Sequence, residues 1–187
     1  GSKEYAVKMF ISNVTNRNIR YDKISEYLNK SKPFWLAEFN YYDKEIKIKD
    51  IDYPIVLMEW VKGTALNVFI NDKLNNKNIL NKLQVKFIEL IDSLKKHSIS
   101  HGDIQPGNII INSTRKGIEI KLIDYDNMYV PGLGQYKSFE VGLPEYQHPL
   151  RTEIKNLKPN IDRFSISILL LILELVKYDK SYWDNGI

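Results

Sequence analysis

Asp103 and Asn108 lie five positions apart in the polar run His101-Gly102-Asp103-Ile104-Gln105-Pro106-Gly107-Asn108. Alone, an Asp and an Asn at that spacing mark a loop whose side chains hydrogen-bond their own backbone. Asp124 changes the reading. It directly follows Ile118 to Ile123, the second arm of a hairpin whose first arm, Ile109 to Ile111, begins where the polar run ends. A hairpin returns its end to its beginning, so three oxygen-bearing side chains are expected to converge. That set suits phosphoryl transfer: one carboxylate to orient an attacking hydroxyl and accept its proton, an amide and a second carboxylate to hold Mg2+ against phosphate oxygens.

The elements that must position these groups follow from hydrophobic periodicity. Tyr5 to Phe10 reads as a short strand, Tyr21 to Leu28 as a helix, and Trp35 to Tyr42 and Ile55 to Trp60 as strands rich in aromatic and β-branched residues. Ile79, Leu83, Phe87, Ile91 and Leu94 recur at intervals of four or three, along one face of a long helix that ends near Lys96, with Asn78 as its expected cap. An irregular segment, Val130 to Pro149, leads from Asp124 towards an apolar helix opening at Asp162. Its run Ile166 to Val176 is interrupted by Glu174 and is shorter than the roughly 20 residues of a membrane span, so a buried helix is expected.

Composition narrows the class. With 187 residues, 43% of them hydrophobic, the chain can bury a core as one domain or two small lobes. It has no cysteine, which excludes thiol catalysis, disulfides and cysteine-ligated metals and fits a cytoplasmic protein. The formal charge of +4 is spread among acidic residues, so nucleic acid is not an expected partner. His97, His101 and His148 have no zinc-site spacing.

The order of these motifs resembles the protein kinase superfamily, in a divergent bacterial form, over nearly the whole chain. Ala6-Val7-Lys8 resembles the strand whose lysine grips ATP phosphates, and Glu26, eighteen residues later, stands where the family's helix supplies that lysine's partner. Leu57-Met58-Glu59-Trp60-Val61 resembles the entry to the hinge, which implies a gatekeeper at Met58 and adenine contacts from the backbone of Glu59 and Val61. The catalytic loop implies a base-like role for Asp103 and a metal contact for Asn108. Asp124-Tyr125-Asp126 resembles the metal-binding D-F-G triplet, with Asp124 on Mg2+. Gly142-Leu143-Pro144-Glu145-Tyr146-Gln147-His148-Pro149 is similar to the run that closes a protein kinase's activation segment. Asp162-Arg163-Phe164-Ser165 resembles the start of the central helix, whose Asp anchors the catalytic loop. The resemblance implies an α+β, two-lobed fold. Residues 1–60 would form a partial N-lobe and 61–187 a C-lobe, joined near Trp60 to Lys62 and incomplete at their outer ends.

The departures are as specific as the matches. No G-x-G-x-x-G turn precedes Lys8, Gly102 replaces the arginine of H-R-D, and Gln105 replaces a lysine near the transferred phosphate. Leu150 replaces the A-P-E glutamate, so stiffening of the segment is expected from packing alone. The resemblance implies transfer of the ATP γ-phosphate to a protein serine or threonine, with a regulatory partner or neighbouring domain as a further expectation. His101-Gly102-Asp103 and Asp126 are also compatible with small-molecule kinases of the aminoglycoside and choline type. Gln105 and Leu150 are compatible with a pseudokinase binding module.

Overall fold

The structure is a computed structural model that describes residues 3–12, 14–138, 141–154 and 156–184. Three antiparallel strands, β1 (Tyr5–Met9), β2 (Phe39–Ile48) and β3 (Ile51–Glu59), form a sheet in the order β1-β3-β2. Helix α1 (Arg17–Ser31) packs on it, turning Tyr21, Ile24 and Leu28 inward.

β2 and β3 are longer than expected, and they meet in a hairpin that the residue types conceal. Lys49 and Asp50 form its two-residue loop, both at positive φ (47° and 64°), between the paired Ile48 and Ile51. Such loops favour Asn-Gly, and neither residue is present here. The expected strand Trp35 to Tyr42 is corrected: it begins only at Phe39. Trp35, Leu36 and Ala37 are buried because they cross to the second half of the molecule. The Trp35 carbonyl accepts the Leu122 N–H at 2.9 Å, and its indole N–H donates to the Ser93 hydroxyl at 3.0 Å.

The second half contains β4 (Thr64–Ala65), α2 (Leu66–Lys73), α3 (Lys77–Lys96), β5 (Ile109–Thr114), β6 (Gly117–Leu122), α4 (Arg163–Tyr178) and the short α5 (Ser181–Asp184). β4, β5 and β6 form a second antiparallel sheet. The expected hairpin is β5–β6, with Ile109 opposite Leu122. α3 matches the expected long helix, but its cap is Asn76, whose side chain accepts the Ile79 N–H at 3.1 Å, and Asn78 lies inside the first turn. Leu80, Leu83, Phe87, Leu90 and Leu94 are its buried stripe, with Ile79 and Ile91 at the flank. Each such side chain contributes about 1.5–3 kcal/mol by leaving water, so packing holds α3 in place more than helix propensity does. α2, with only eight residues, is too short to show a periodic pattern. α4 is buried through Ile166, Leu169, Ile172, Leu173 and Val176, and no helix among the described residues is long and apolar enough to cross a membrane.

Candidate active site

Asp162 sits immediately before α4, where a carboxylate ordinarily caps its own helix. Here it makes no such cap. Its two oxygens instead accept the backbone N–H groups of His101 and Gly102, the latter at 2.8 Å. Burial raises the Asp162 carboxyl above its ordinary range, against the lowering effect of His101, the two N–H groups and Arg151. The His101 ring is buried, with Nε2 2.9 Å from the Ile123 carbonyl oxygen and a T-shaped contact with Tyr125. This is a structural prop. Gly102 has φ +80°, and a Cβ there would lie 2.2 Å from the Asn127 carbonyl oxygen. Backbone conformation and space both exclude a side chain at this position.

The loop fixed in this way presents Asp103. Asn108 Nδ2 donates to the Asp103 carbonyl at 3.0 Å and to its Oδ2 at 2.8 Å. The Asn108 carbonyl in turn accepts the Ile123 N–H at 3.0 Å, which brings the end of β6 beside the loop. Asp124 follows with φ 65°, an uncommon conformation for a residue other than glycine and one that recurs at functional sites. Lys8 reaches it from β1: Nζ lies 2.8 Å from Asp124 Oδ1 and 2.9 Å from Asp126 Oδ2. Burial lowers the affinity of the Lys8 ammonium for its proton, but the hydrogen bonds and charges of Asp124 and Asp126 outweigh that and hold it above its ordinary value. Tyr125, between the two acids, is a core aromatic: its hydroxyl donates to the Leu122 carbonyl at 2.7 Å and accepts the Ala37 N–H at 2.9 Å.

The segment 141–149 closes one side of the site. A Cβ at Gly142 would lie 2.4 Å from Asp103 Oδ1 and 2.7 Å from Gln147 Nε2. Asp103 Oδ1 is buried without a protein hydrogen-bond partner, and so are both amide atoms of Gln147. Asp103 Oδ1 is thus the oxygen that Asn108 leaves free, and Gly142 covers it. The Gln105 side chain turns back to accept the Gly107 N–H at 3.2 Å, capping the turn Pro106–Asn108.

No cluster of three or more His, Asp or Glu at metal distance occurs among the described residues. The donor set still fits Mg2+, which takes oxygen ligands from one or two protein groups and completes its shell with phosphate and water. With Asn108 Nδ2 turned to Asp103, the amide oxygen remains for a cation, and the Asp124 carboxylate is partly exposed. Met58 lies opposite Ala6 in the β1–β3 pairing, on the face of the sheet that carries Lys8. Glu59 ends β3, its N–H bonded to the Glu38 carbonyl at 2.8 Å, and Val61 is the second residue of the connection to β4.

Residues 3–185 match the protein kinase domain model. The chain belongs to the protein kinase family. It is 24% identical over 127 residues to serine/threonine-protein kinase dkf-2 of Caenorhabditis briggsae, covering 67% of this chain and 11% of that protein. It is 27% identical over 110 residues to mitogen-activated protein kinase kinase 10 of Arabidopsis thaliana, covering 59% of this chain and 34% of that protein. The fold matches the Cydia pomonella granulovirus kinase PK-1 with a TM-score of 0.65 at 17% identity, covering 92% of this chain and 60% of that one. The chain thus spans about a tenth to a third of these two relatives' length. Its α+β architecture is the two-lobed kinase fold.

Two expectations drawn from the kinase resemblance are corrected. Lys8 does not pair with Glu26. Glu26 is exposed and lines a separate groove with Lys23, Tyr27, Lys30 and His97, while Asp124 and Asp126 hold Lys8. The cause is helical phase, since a residue two positions from the inward-facing Ile24 points about 200° around the helix. The closing segment is also not held by packing alone. Arg151, 2% exposed, donates to the Ser138 hydroxyl at 2.8 Å and to the Ile154 carbonyl at 3.0 Å. Burial lowers the Arg151 guanidinium below its usual value, while Asp162 and Asp103 raise it. Arg151 and Tyr21 are contributors that motif reading missed, as is the contact of Asp126 with Lys8. For Asp126 the signal was present, as an acidic residue where the triplet has glycine.

Proposed function

We propose that the chain is an ATP- and Mg2+-dependent phosphotransferase acting on a serine or threonine hydroxyl of a protein. The observation that carries this reading is the linked set Asp103–Asn108 and Asp124–Lys8, joined through the Asn108 carbonyl and the Ile123 N–H. ATP supplies the phosphoryl group, and Mg2+ neutralises the charge that develops on its oxygens. Asp103 orients the acceptor hydroxyl and takes its proton, with its Oδ2 held by Asn108. Lys8 binds phosphate oxygens, Asn108 and Asp124 hold the metal, and Met58, Glu59 and Val61 border the adenine. Residues 1–60 and 61–187 act as the two lobes, joined near Trp60 to Lys62.

A protein acceptor is favoured by the fold of Gly142 to Pro149 against Asp103 and by the matched relatives, which are named as protein kinases. Mixed surface charge argues against nucleic acid, the lack of cysteine favours a cytoplasmic setting, and regulation by a partner or neighbouring domain is consistent with the missing H-R-D arginine. Incubation with γ-labelled ATP, Mg2+ and general protein substrates tests the reading. Transfer is expected from the parent, with a loss of at least about a hundredfold in Asp103→Ala. Labelling by that variant at the parent rate, or by the parent of small hydroxyl metabolites alone, would contradict it.

A second reading, a nucleotide-binding module without transfer, is favoured by the Gln105 side chain, which is engaged with Gly107 and places no cation beside the reacting phosphate. It predicts a thermal shift with MgATP and no labelled protein.

A further inference from the structure

We propose that Asp126 is the positioning residue for Lys8, linking it to α1 through the Tyr21 hydroxyl in place of a helix glutamate. The inference rests on the reading of Lys8 as the phosphate-binding lysine. The two oxygens of one carboxylate divide the task. Asp126 Oδ2 is 2.9 Å from Lys8 Nζ, and Oδ1 accepts the hydrogen bond of Tyr21. Arg20, the preceding residue of α1, donates to the Asp126 carbonyl, so both the side chain and the backbone of Asp126 are tied to the helix.

α1 has no carboxylate of its own to offer. Its two acids, Asp22 and Glu26, are both exposed, and the inward positions are Arg20, Tyr21, Ile24 and Leu28. Tyr21 is in turn locked in place, stacked on Tyr41 with ring centres 5.0 Å apart, in a T-shaped contact with Phe39 and against the tilted ring of Phe10. The side chain of Asp126 is 21% exposed against 39% for Asp124, so the two partners of Lys8 are not equivalent. Exposed ion pairs add little stability, but Asp126 is the less exposed partner and is shared with Tyr21, so the triad couples Lys8 to α1 as well as orienting it. Asp124 can then turn to a metal ion while Asp126 keeps Lys8 in place and couples it to the seating of α1.

The test is a set of mutant cycles among Lys8→Met, Asp126→Asn and Tyr21→Phe, read by nucleotide affinity and by urea unfolding. Fluorescent ATP analogue titrated at saturating Mg2+ is expected to bind about tenfold more weakly to Asp126→Asn and about threefold more weakly to Tyr21→Phe. Neither change should weaken binding further once Lys8 is Met. Undiminished losses in the Lys8→Met background would overturn the inference. So would a severalfold rise, in Asp126→Asn, of the Mg2+ concentration needed for half-saturation, which would make Asp126 a metal ligand. The unfolding cycle needs no nucleotide. The Lys8→Met, Asp126→Asn double variant is expected to lose no more stability than the larger single change, and simple additivity would sink the inference even if the parent binds ATP. A parent that binds no nucleotide but shows this coupling would instead remove the phosphate-binding role of Lys8 and leave the Lys8–Asp126 linkage standing.

Discussion

The Gly102 N–H donates to the buried Asp162 carboxylate at 2.8 Å, across sixty residues of sequence. The same carboxylate accepts the His101 N–H, so the start of α4 holds the loop that carries Asp103. Asp162→Ala strands two buried N–H groups and is expected to cost about 3 kcal/mol in urea unfolding. Asp162→Asn keeps one acceptor oxygen and should cost less. An alanine variant within about 0.5 kcal/mol of the parent would show that the contact holds nothing.

Gly102 invites the substitution that would restore the H-R-D arginine. The positive φ and the Asn127 carbonyl, 2.2 Å from a would-be Cβ, predict that Gly102→Arg destabilises the protein by about 2 kcal/mol or more and lowers activity. Denaturant unfolding decides this. A variant as stable as the parent, and more active, would mean that the loop accepts a side chain.

Tyr21 predicts a pH dependence. Burial, followed by the charge and hydrogen bond of Asp126, raises its phenol well above the ordinary 10.0. Between that value and its folded-state pKa, the unfolded chain loses the proton while the folded chain keeps it. The folded state then binds more protons, and stability falls as pH rises. Tyr21→Phe should be less stable than the parent near pH 7, by about 1 kcal/mol for the lost hydrogen bond, yet decline less steeply above about pH 10. Parallel slopes for the two proteins in alkaline unfolding would contradict this assignment.

The residues of the candidate site were legible to different degrees. Asp103, Asn108 and Asp124 could be grouped from sequence because a loop followed by a hairpin leaves little choice about where its ends lie. Lys8 was legible only by its place in an ordered series of motifs. The partner of Lys8 was misread although the needed periodicity was visible: Tyr21, Ile24 and Leu28 mark the inward face of α1, and Glu26 falls off it. Asp126, Tyr21 and Arg20 meet only through tertiary structure, across more than a hundred residues, and no local pattern announces that. The β2–β3 loop was hidden because Lys49 and Asp50 adopt positive φ without glycine, held by the pairing of the strands on either side.

In the function proposed, Lys8, Asp103, Asn108 and Asp124 form one phosphoryl-transfer centre, with Asp103 acting on the acceptor and not on the nucleotide. The most direct measurement takes one preparation of Asp103→Asn and determines both its affinity for MgATP and its rate of transfer to protein. Affinity within about threefold of the parent is expected, with transfer reduced by at least about a hundredfold. Transfer at the parent rate, or loss of nucleotide binding together with transfer, would contradict it.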